Sequence, residues 1–111
     1  MESFLLVTTT CASREEAEVL AEKLLKVRLI ACANIFSGVH SIFHWRGKIE
    51  RAEEVVLQVK CRKRYFRDLV EWIQTHHSYE LPEILALPIV DGSREYLDWM
   101  MEETRFTEFD N

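Results

Sequence analysis

The order of the apolar segments predicts an α+β domain built as β-α-β-β-α-β, with one further helix at the C-terminal end. Three observations support this fold class: β-rich runs alternate with segments of helical periodicity, two β-rich runs follow one another directly, and no glycine- or proline-rich linker interrupts the 111 residues. This order is that of the split βαβ, or ferredoxin-like, arrangement, whose sheet is antiparallel. We therefore expect a single domain over residues 1–111 that is large enough to bury a core.

The first strand and the first helix are predicted from the segment that precedes residue 27. Residues 4–10 (FLLVTTT) form a β-rich run that predicts a buried strand. Ser13 precedes Glu16 by three residues, and this spacing predicts a capping box at the start of a helix. One apolar helical face follows, at Ala17, Leu20, Ala21 and Leu24.

Residues 29–61 predict one long β-hairpin. Alternating apolar positions flank a turn signal at Arg46 and Gly47, and Ser37 followed by Gly38 predicts a bulge or bend in the first of the two strands. Strands of about ten residues or more are long for a domain of this size. Because an unpaired projecting strand edge promotes aggregation, we expect the hairpin to pair with another subunit of a homo-oligomer.

The last third of the chain predicts a helix, a strand and a second helix. Helical spacing over Tyr65–His76 predicts the first of these. The apolar run Ile84–Val90 predicts a strand, in which Pro88 must occupy a sheet edge or a strand end. Ser93 is the expected N-cap of the final short helix. The tail Phe106–Asn111 is polar and is predicted to be frayed.

The composition excludes several classes of protein. A net charge of −5 disfavours general nucleic-acid binding, which needs a basic surface, and no basic amphipathic face indicates attachment to a membrane. No segment approaches the ~20 consecutive apolar residues of a membrane span, and no signal peptide is recognised at the N-terminus. Three widely spaced cysteines without a C-x-x-C pair indicate reduced thiols, so we expect a cytoplasmic protein.

Residues 76–83 (HHSYELPE) form the densest group of ligand-type side chains. Imidazole suits copper, zinc, nickel or iron, and carboxylates can complete such a site, so His76 and His77 are candidate metal ligands. In the structural alternative, His76 packs on the helix face and His77 caps the helix C-terminus as a cation. Cys11 lies just before a helix start, where the helix dipole lowers a thiol pKa, and it is either a reactive or metal-binding thiol or an inert one.

Four basic residues are crowded at the start of the second predicted helix, the end that disfavours cations: Arg62, Lys63, Arg64 and Arg67. Their compensating partner is an anionic ligand, the acidic residues of a neighbouring subunit, or water. No phosphate loop, nucleophile elbow or zinc-hydrolase motif occurs, so we expect a protein that is not an enzyme.

The chain resembles the CutA divalent-cation tolerance family. The resemblance is carried by four segments, Ala31–Ile35 (ACANI), Phe43–Ile49 (FHWRGKI), His76–Ile84 (HHSYELPEI) and Gly92–Trp99. It implies a ferredoxin-like fold assembled as a homotrimer through the long hairpins, a cytoplasmic location, and tolerance of copper and other divalent cations. The family's trimer is similar to that of the PII signalling proteins, which implies a ligand-sensing role by analogy of fold.

The resemblance also implies site residues. In family members with a described copper site, a cysteine near the end of the first strand joins two histidines, which correspond to His76 and His77. Alignment of the following helix places Thr9 at the position of that cysteine, and Cys11 lies two residues further on, so whether Cys11 takes its place is open. The residues that match the family pattern near an inter-subunit cleft are Lys60, Tyr79, Glu80 and Glu83, together with Trp45.

Three functions follow as hypotheses. The first is a trimeric divalent-cation tolerance protein that binds copper or another divalent cation. The second is a PII-like trimeric sensor of a small ligand or anion, with Lys60, Arg62, Arg64 and the Tyr79–Glu83 segment around its site. The third is a structural scaffold that presents surfaces to partner proteins.

Overall fold

Four antiparallel strands and three helices make up the part of the chain, residues 2–107, that the computed structural model describes. In chain order they are β1 (Phe4–Cys11), α1 (Arg14–Lys26), β2 (Cys32–Trp45), β3 (Lys48–Arg62), α2 (Phe66–His76), β4 (Leu85–Ile89) and α3 (Arg94–Glu103). A short 3-10 turn at Lys63–Tyr65 precedes α2, so that helix begins one residue later than predicted. The predicted α+β order is confirmed. None of the helices in the described residues is long and apolar enough to cross a membrane.

The strands lie in the order β2-β3-β1-β4, and every neighbouring pair is antiparallel. β1 therefore pairs on both sides, for example through Phe4 with Arg62 of β3 and with Ile89 of β4. β4 occupies an edge of the sheet, where Pro88 lies opposite Leu5. This position confirms the edge strand predicted from the proline, which has no backbone N–H to donate.

The long hairpin is confirmed, with strands of 14 and 15 residues. Arg46 and Gly47 form its two-residue turn, both with positive φ (51° and 81°), which is the geometry that matches the twist of paired strands. The predicted bend is also confirmed: the register shifts between Phe36 and Val39, around Gly38 with φ 77°.

The predicted start of the hairpin at residue 29 is wrong, because α1 ends with its own closing motif. Arg28 adopts a left-handed conformation (φ 64°) and its N–H donates to the carbonyl of Leu25 at 3.1 Å. The N–H of Leu29 donates to the carbonyl of Leu24, also at 3.1 Å. This pair of bonds is a Schellman motif, and it holds Leu29 and the next two residues as a buried link before β2 begins at Cys32.

The two faces of the sheet differ in how much they are covered. α1 and α2 cover one face, where Val7 and Leu57 of the sheet pack with Leu24 and Ile73 of the helices. On the other face α3 covers only one end, where Met100 packs against a small cluster around Phe4. The rest of that face, which we call the open sheet face, exposes large apolar side chains, namely Phe36, Leu85 and Leu87.

The predicted frayed tail is wrong for its first residue. Phe106 is buried, and its ring packs edge-on against that of Tyr65 at a centroid distance of 6.1 Å. Two hydrogen bonds hold this segment: the N–H of Arg105 donates to the carbonyl of Arg28, and the guanidinium of Arg62 donates to the carbonyl of Thr104. Residues 108–111 of the predicted tail lie outside the described residues.

Candidate functional site

Cys11, Glu16 and His77 bring three potential metal ligands together. One ligand atom from each, the thiol sulfur, a carboxylate oxygen and an imidazole nitrogen, lie within 4.8 Å of one another. Cys11 is the last residue of β1, Glu16 lies in the first turn of α1, and His77 directly follows α2. The cluster therefore forms where the end of a central strand meets the ends of both helices on the same face of the sheet.

Glu16 joins the helix start to the segment after α2. Its backbone N–H donates to Ser13 Oγ at 3.1 Å, which confirms the predicted cap. In a standard capping box, the Glu16 side chain would accept from the backbone N–H of the N-cap residue, Ser13. Here Glu16 Oε1 accepts instead from the N–H of Ala12, at 3.0 Å. Its Oε2 accepts from the N–H of Ser78 at 3.2 Å. Burial alone would raise the pKa of Glu16, but the hydrogen bonds from Ser78 and Ala12 together outweigh it, and the pKa lies below its usual value.

Both ring nitrogens of His77 are engaged by the backbone. The N–H of Tyr79 donates to Nδ1 at 3.0 Å, so Nδ1 carries no proton. Nε2 then carries the proton and donates to the carbonyl of Thr10 at 2.8 Å. These bonds fix the ring beside Cys11, and a metal ion must replace one of them to gain the imidazole nitrogen.

Cys11 is a fully buried, protonated thiol in the metal-free protein. Burial raises the pKa of Cys11 to about 12, with smaller contributions from the charges of Glu16 and Glu54. The expectation that the helix dipole lowers this pKa is therefore wrong, since burial outweighs it. A thiol binds metal as the thiolate, so the ion must displace a proton from Cys11.

His76 lies apart from this cluster. Its ring stacks on that of Trp72 with 4.5 Å between centroids and 14° between planes, and Nδ1 donates to the Trp72 carbonyl at 2.8 Å. Thr9, at the position of the family's cysteine, points to the same face of β1 as Cys11 and is buried, and its Oγ1 has no hydrogen-bond partner among the described residues. Of the predicted metal ligands, one protomer thus brings together Cys11 and His77, and it adds Glu16.

The donor set of the cluster fits a transition-metal ion. A thiolate and an imidazole select copper or zinc over magnesium or calcium, and a carboxylate can supply a third ligand. Sequence reasoning missed Glu16 as a ligand because its capping role explained it fully. The N-cap of α1, Ser13, lies only two residues after Cys11. This short separation in the sequence was the one indication that Glu16 lies near the thiol.

A groove of about 910 Å³ lies between the outer part of the hairpin and the segment that follows His77. Four of the five residues expected near a cleft line it: Trp45, Tyr79, Glu80 and Glu83. Its other acidic residues are Glu50 and Glu54, so four glutamates line it, and we call it the carboxylate groove.

Lys60 lies elsewhere in the protomer, on the open sheet face. Its Nζ lies 3.3 Å from Asn34 Oδ1 and 3.7 Å from Cys32 Sγ. Lys60 lies six positions after Glu54 along β3, which corresponds to about 20 Å at ~3.3 Å per residue. A single protomer therefore does not bring Lys60 to the carboxylate groove.

Glu54 and Tyr79, which both line the carboxylate groove, are hydrogen-bonded to each other. The Tyr79 hydroxyl donates to Glu54 Oε2 at 2.8 Å, and only 8% of the Glu54 surface is exposed. Burial and the bond to Glu54 raise the pKa of Tyr79 above its usual value, so the phenol stays a neutral donor.

Two of the four basic residues near the start of α2, Arg62 and Arg64, have partners in their own chain. Arg62 donates to Glu2 Oε1 and to the carbonyl of Thr104, each at 3.0 Å, and its guanidinium lies over the ring of Tyr65. The hydrogen bond from Arg62 lowers the pKa of Glu2. The partners of Arg62 thus belong to its own chain, and not to an anionic ligand, a neighbouring subunit or water, as the sequence predicts. Arg64 lies over the same Tyr65 ring, at 5.6 Å.

Comparisons with known proteins agree with this architecture. The family model described as CutA1 divalent ion tolerance protein matches residues 5–103. The divalent-cation tolerance protein CutA of Thermus thermophilus is 43% identical over 104 residues, which cover 94% of this chain and 99% of that protein. Its namesake in Archaeoglobus fulgidus is 43% identical over 102 residues, covering 92% and 97%. The chloroplastic CutA of Arabidopsis thaliana is 37% identical, and the chain spans 56% of its length.

Solved structures give the same result. The Thermus thermophilus protein superposes with a TM-score of 0.88 at 43% identity, over 95% of this chain and all of that one. CutA1 from Oryza sativa superposes with a TM-score of 0.91 at 33% identity, over 95% of this chain and 96% of that one. Since the family model spans most of the chain, and the Thermus and Archaeoglobus relatives are matched over nearly their whole length, the chain belongs to the CutA1 divalent ion tolerance protein family.

Proposed function

We propose that this protein binds copper, or another divalent cation, at Cys11, Glu16 and His77, and that this binding underlies its role in tolerance of metal ions. The observation that supports the proposal is the approach of three ligand atoms of suitable chemistry to within 4.8 Å. The relatives' names as tolerance proteins support it, and these names describe no enzyme.

Each residue has a distinct part in binding. Cys11 gives up its proton and supplies a thiolate, which favours copper and zinc over harder ions. Glu16 supplies an oxygen while its backbone hydrogen bonds hold it in place. His77 exchanges one backbone hydrogen bond for the ion, so binding rearranges the turn that leads to Tyr79. His76 is exposed and lies outside the cluster, so it has no part in holding the ion.

Calorimetric titration with Cu²⁺ and Zn²⁺ under anaerobic conditions tests the proposal. We expect one ion per chain, with binding weakened at least about tenfold in Cys11→Ala and in His77→Gln, since each loses one ligand. His76→Gln is the matched control, because it removes the neighbouring imidazole outside the cluster, and we expect it to stay within about twofold of wild type. Binding that depends on His76 and not on His77 would refute the site.

We further propose a homotrimer assembled through the long hairpins. β1 pairs with β3 only as far as Val55. The rest of the hairpin, whose strands have 14 and 15 residues, therefore extends past the end of β1. The open sheet face exposes Leu85, Leu87 and Phe36, an apolar surface that a partner copy would bury.

A cytoplasmic location is also a proposal. Cys11, Cys32 and Cys61 are all free thiols, which fits a reducing compartment. The names of two relatives give other locations: the Arabidopsis thaliana protein is called chloroplastic, and the solved structure from Archaeoglobus fulgidus is called periplasmic. Fractionation of the native cells with a compartment marker tests the location, and recovery of the protein with periplasmic or organellar markers would contradict it.

A PII-like sensor of a small ligand is the second candidate, and the size of the carboxylate groove favours it. Four glutamates and no lysine or arginine line that groove, which disfavours an anion there. A thermal-shift screen of nucleotides, carboxylates and amines tests this candidate, because a bound ligand raises the apparent stability. The scaffold hypothesis predicts a flat screen together with a stable protein partner in a pull-down.

A further inference from the structure

Tyr79 connects the cluster of metal ligands to the long hairpin. Its backbone N–H donates to Nδ1 of His77 at 3.0 Å, and the centroids of the two rings lie 4.8 Å apart. Its hydroxyl donates to Oε2 of Glu54, in β3, at 2.8 Å. Tyr79 therefore contacts a proposed metal ligand through its backbone and a residue of the hairpin through its side chain.

The hydrogen bond between Tyr79 and Glu54 is costly to break. A bond to a carboxylate is roughly twice as strong as one between neutral groups. Glu54 is more than nine-tenths buried, so loss of the bond would leave a buried carboxylate without this donor. A displacement of the Tyr79 side chain is therefore passed on to Glu54.

Glu54 lies at the level of the sheet where the hairpin loses the support of a third strand. β1 ends at Cys11, whose partner in β3 is Val55, so Glu54 is the first residue of β3 past the end of β1. Cys11 is also a proposed metal ligand. The metal-ligand cluster and the end of the supported part of the hairpin therefore lie at the same level of the sheet.

The bend in β2 lies at this level as well. The register of β2 against β3 shifts just before Val39, which is the partner of Glu54, and such a bulge bends a strand. We call residues 39–54 the outer hairpin, and among the described strands only its own two pair with each other there. Arg46 and Glu80 also join the outer hairpin to the segment after α2, but this ion pair is exposed and weak. The bond to Glu54 is thus the stronger of the two side-chain links.

Metal binding at His77 must affect Tyr79 whichever ring nitrogen takes the ion. If Nδ1 binds the ion, the N–H of Tyr79 loses its acceptor. If Nε2 binds the ion, the ring is released from the carbonyl of Thr10 while Nδ1 still holds the N–H of Tyr79. In both cases the turn from His77 to Tyr79 has two arrangements, and occupancy of the site selects between them.

We propose that Tyr79 transmits the occupancy of the metal site to the outer hairpin through its bonds to His77 and Glu54. Tyr79 binds no ion itself and is a positioning residue. The inference rests on the proposed function, since it needs an ion at Cys11, Glu16 and His77. Because we expect the long hairpins to join the copies of the chain, a change in the outer hairpin reaches the boundary between subunits.

Amide hydrogen exchange of the intact protein, with and without saturating Zn²⁺, tests the inference. Calorimetric titration of each variant establishes separately whether zinc binds. In the wild type we expect Zn²⁺ to change the exchange rates of residues 39–54 by at least about fivefold, and by more than those of α3. Tyr79→Phe removes only the hydroxyl, so we expect it still to bind one Zn²⁺ per chain while the change in the outer hairpin falls to within about twofold.

Two further variants separate loss of the link from damage to the fold. The matched control is Tyr65→Phe, which removes a hydroxyl beyond the opposite end of β3 and should respond to Zn²⁺ as the wild type does. The double variant Tyr79→Phe/Glu54→Leu removes both partners of the bond, so no buried carboxylate is left without its donor. We expect the double variant to bind Zn²⁺ and to lose the response of the outer hairpin.

The outcomes distinguish this inference from the metal site on which it rests. A response of wild-type size in Tyr79→Phe and in the double variant would overturn the inference. So would equal changes in the outer hairpin and in α3, since these would show only the general stabilisation that any bound ligand brings. Zinc binding without a response of the outer hairpin would overturn the inference and leave the metal site standing, whereas no zinc binding in the wild type would overturn both.

Discussion

The backbone N–H of Tyr79 donates to Nδ1 of His77 across 3.0 Å, and this bond sets which nitrogen of the histidine carries the proton. His77 is thereby held as the Nε2–H tautomer. The neighbouring His76 has the opposite arrangement, since its Nδ1 donates to the carbonyl of Trp72. These two adjacent histidines thus carry their protons on different ring nitrogens, and of the two only His77 belongs to the cluster with Cys11 and Glu16.

We expect opposite tautomers for these two histidines in the metal-free protein. Nitrogen-15 NMR of the imidazole rings distinguishes protonated from unprotonated nitrogens and measures this directly. On addition of Zn²⁺ the His77 signals should change, because the ion takes one hydrogen-bonded nitrogen, and the His76 signals should change less. The same tautomer for both rings, or a zinc response confined to His76, would contradict the hydrogen-bond pattern.

The contact between Glu2 and Arg62 predicts a pH dependence of stability. The hydrogen bond from Arg62 lowers the pKa of Glu2 in the folded state below its ordinary value of 4.5. The folded state therefore gains stability above about pH 4.5, and this gain is lost as the pH falls through the lowered pKa. We expect Glu2→Gln to cost about 2 kcal/mol at pH 7 and less at pH 3, as measured by guanidinium unfolding across that range. A cost independent of pH would contradict the ion pair.

Thr9 predicts a stabilising substitution. Its hydroxyl is buried and has no hydrogen-bond partner among residues 2–107, so replacing it with a methyl group removes an unsatisfied polar atom. We expect Thr9→Val to raise the free energy of unfolding by about 1 kcal/mol. Thr8→Val, at a half-buried position on the opposite face, is the contrasting variant: the Thr8 hydroxyl donates to Glu83 Oε2 at 3.4 Å, so this substitution should bring no gain in stability. A destabilised Thr9→Val would show that the hydroxyl has a partner in the assembled protein.

The open sheet face predicts the oligomeric state. If partner copies bury this surface, a charge placed at Leu87 must be buried without a partner, and the assembly must weaken. We expect light scattering to give a mass about three times 13.2 kDa for the wild type and a smaller mass for Leu87→Glu. Leu81→Glu changes a leucine of the carboxylate groove that is more exposed than Leu87, and it should leave the mass unchanged. A wild-type mass near that of one chain would refute the trimer.

The fold was predictable because its signals are local. Ser13 and Glu16 mark a helix start through their spacing, Arg46 and Gly47 mark a turn, and Pro88 marks an edge strand. Each of these depends on backbone geometry within a few residues, which the sequence states directly. The start of β2 was missed because it depends on a left-handed arginine, where glycine would have given a clear signal.

The candidate site was predictable only in part because its decisive contacts link distant residues. Glu16 meets Ser78 across 62 positions, and His77 meets Thr10 across 67. A similar long-range contact, from Arg62 to Glu2, explains a basic residue that local reasoning assigned to a ligand, a neighbouring subunit or water. Periodicity cannot show which strand end and which helix ends converge. Cys11 and His77 could therefore each be predicted as a metal ligand, but their common cluster with Glu16 could not.

Cobalt titration tests the proposed metal site most directly, since Co²⁺ bound to a thiolate gives a charge-transfer absorption that other ligands do not. Under anaerobic conditions we expect this absorption to saturate at one Co²⁺ per chain, with release of the Cys11 proton. It should disappear in Cys11→Ala, weaken in His77→Gln and persist in the control Cys32→Ala. Absence of the absorption in the wild-type protein, or its persistence in Cys11→Ala, would contradict metal binding at Cys11, Glu16 and His77.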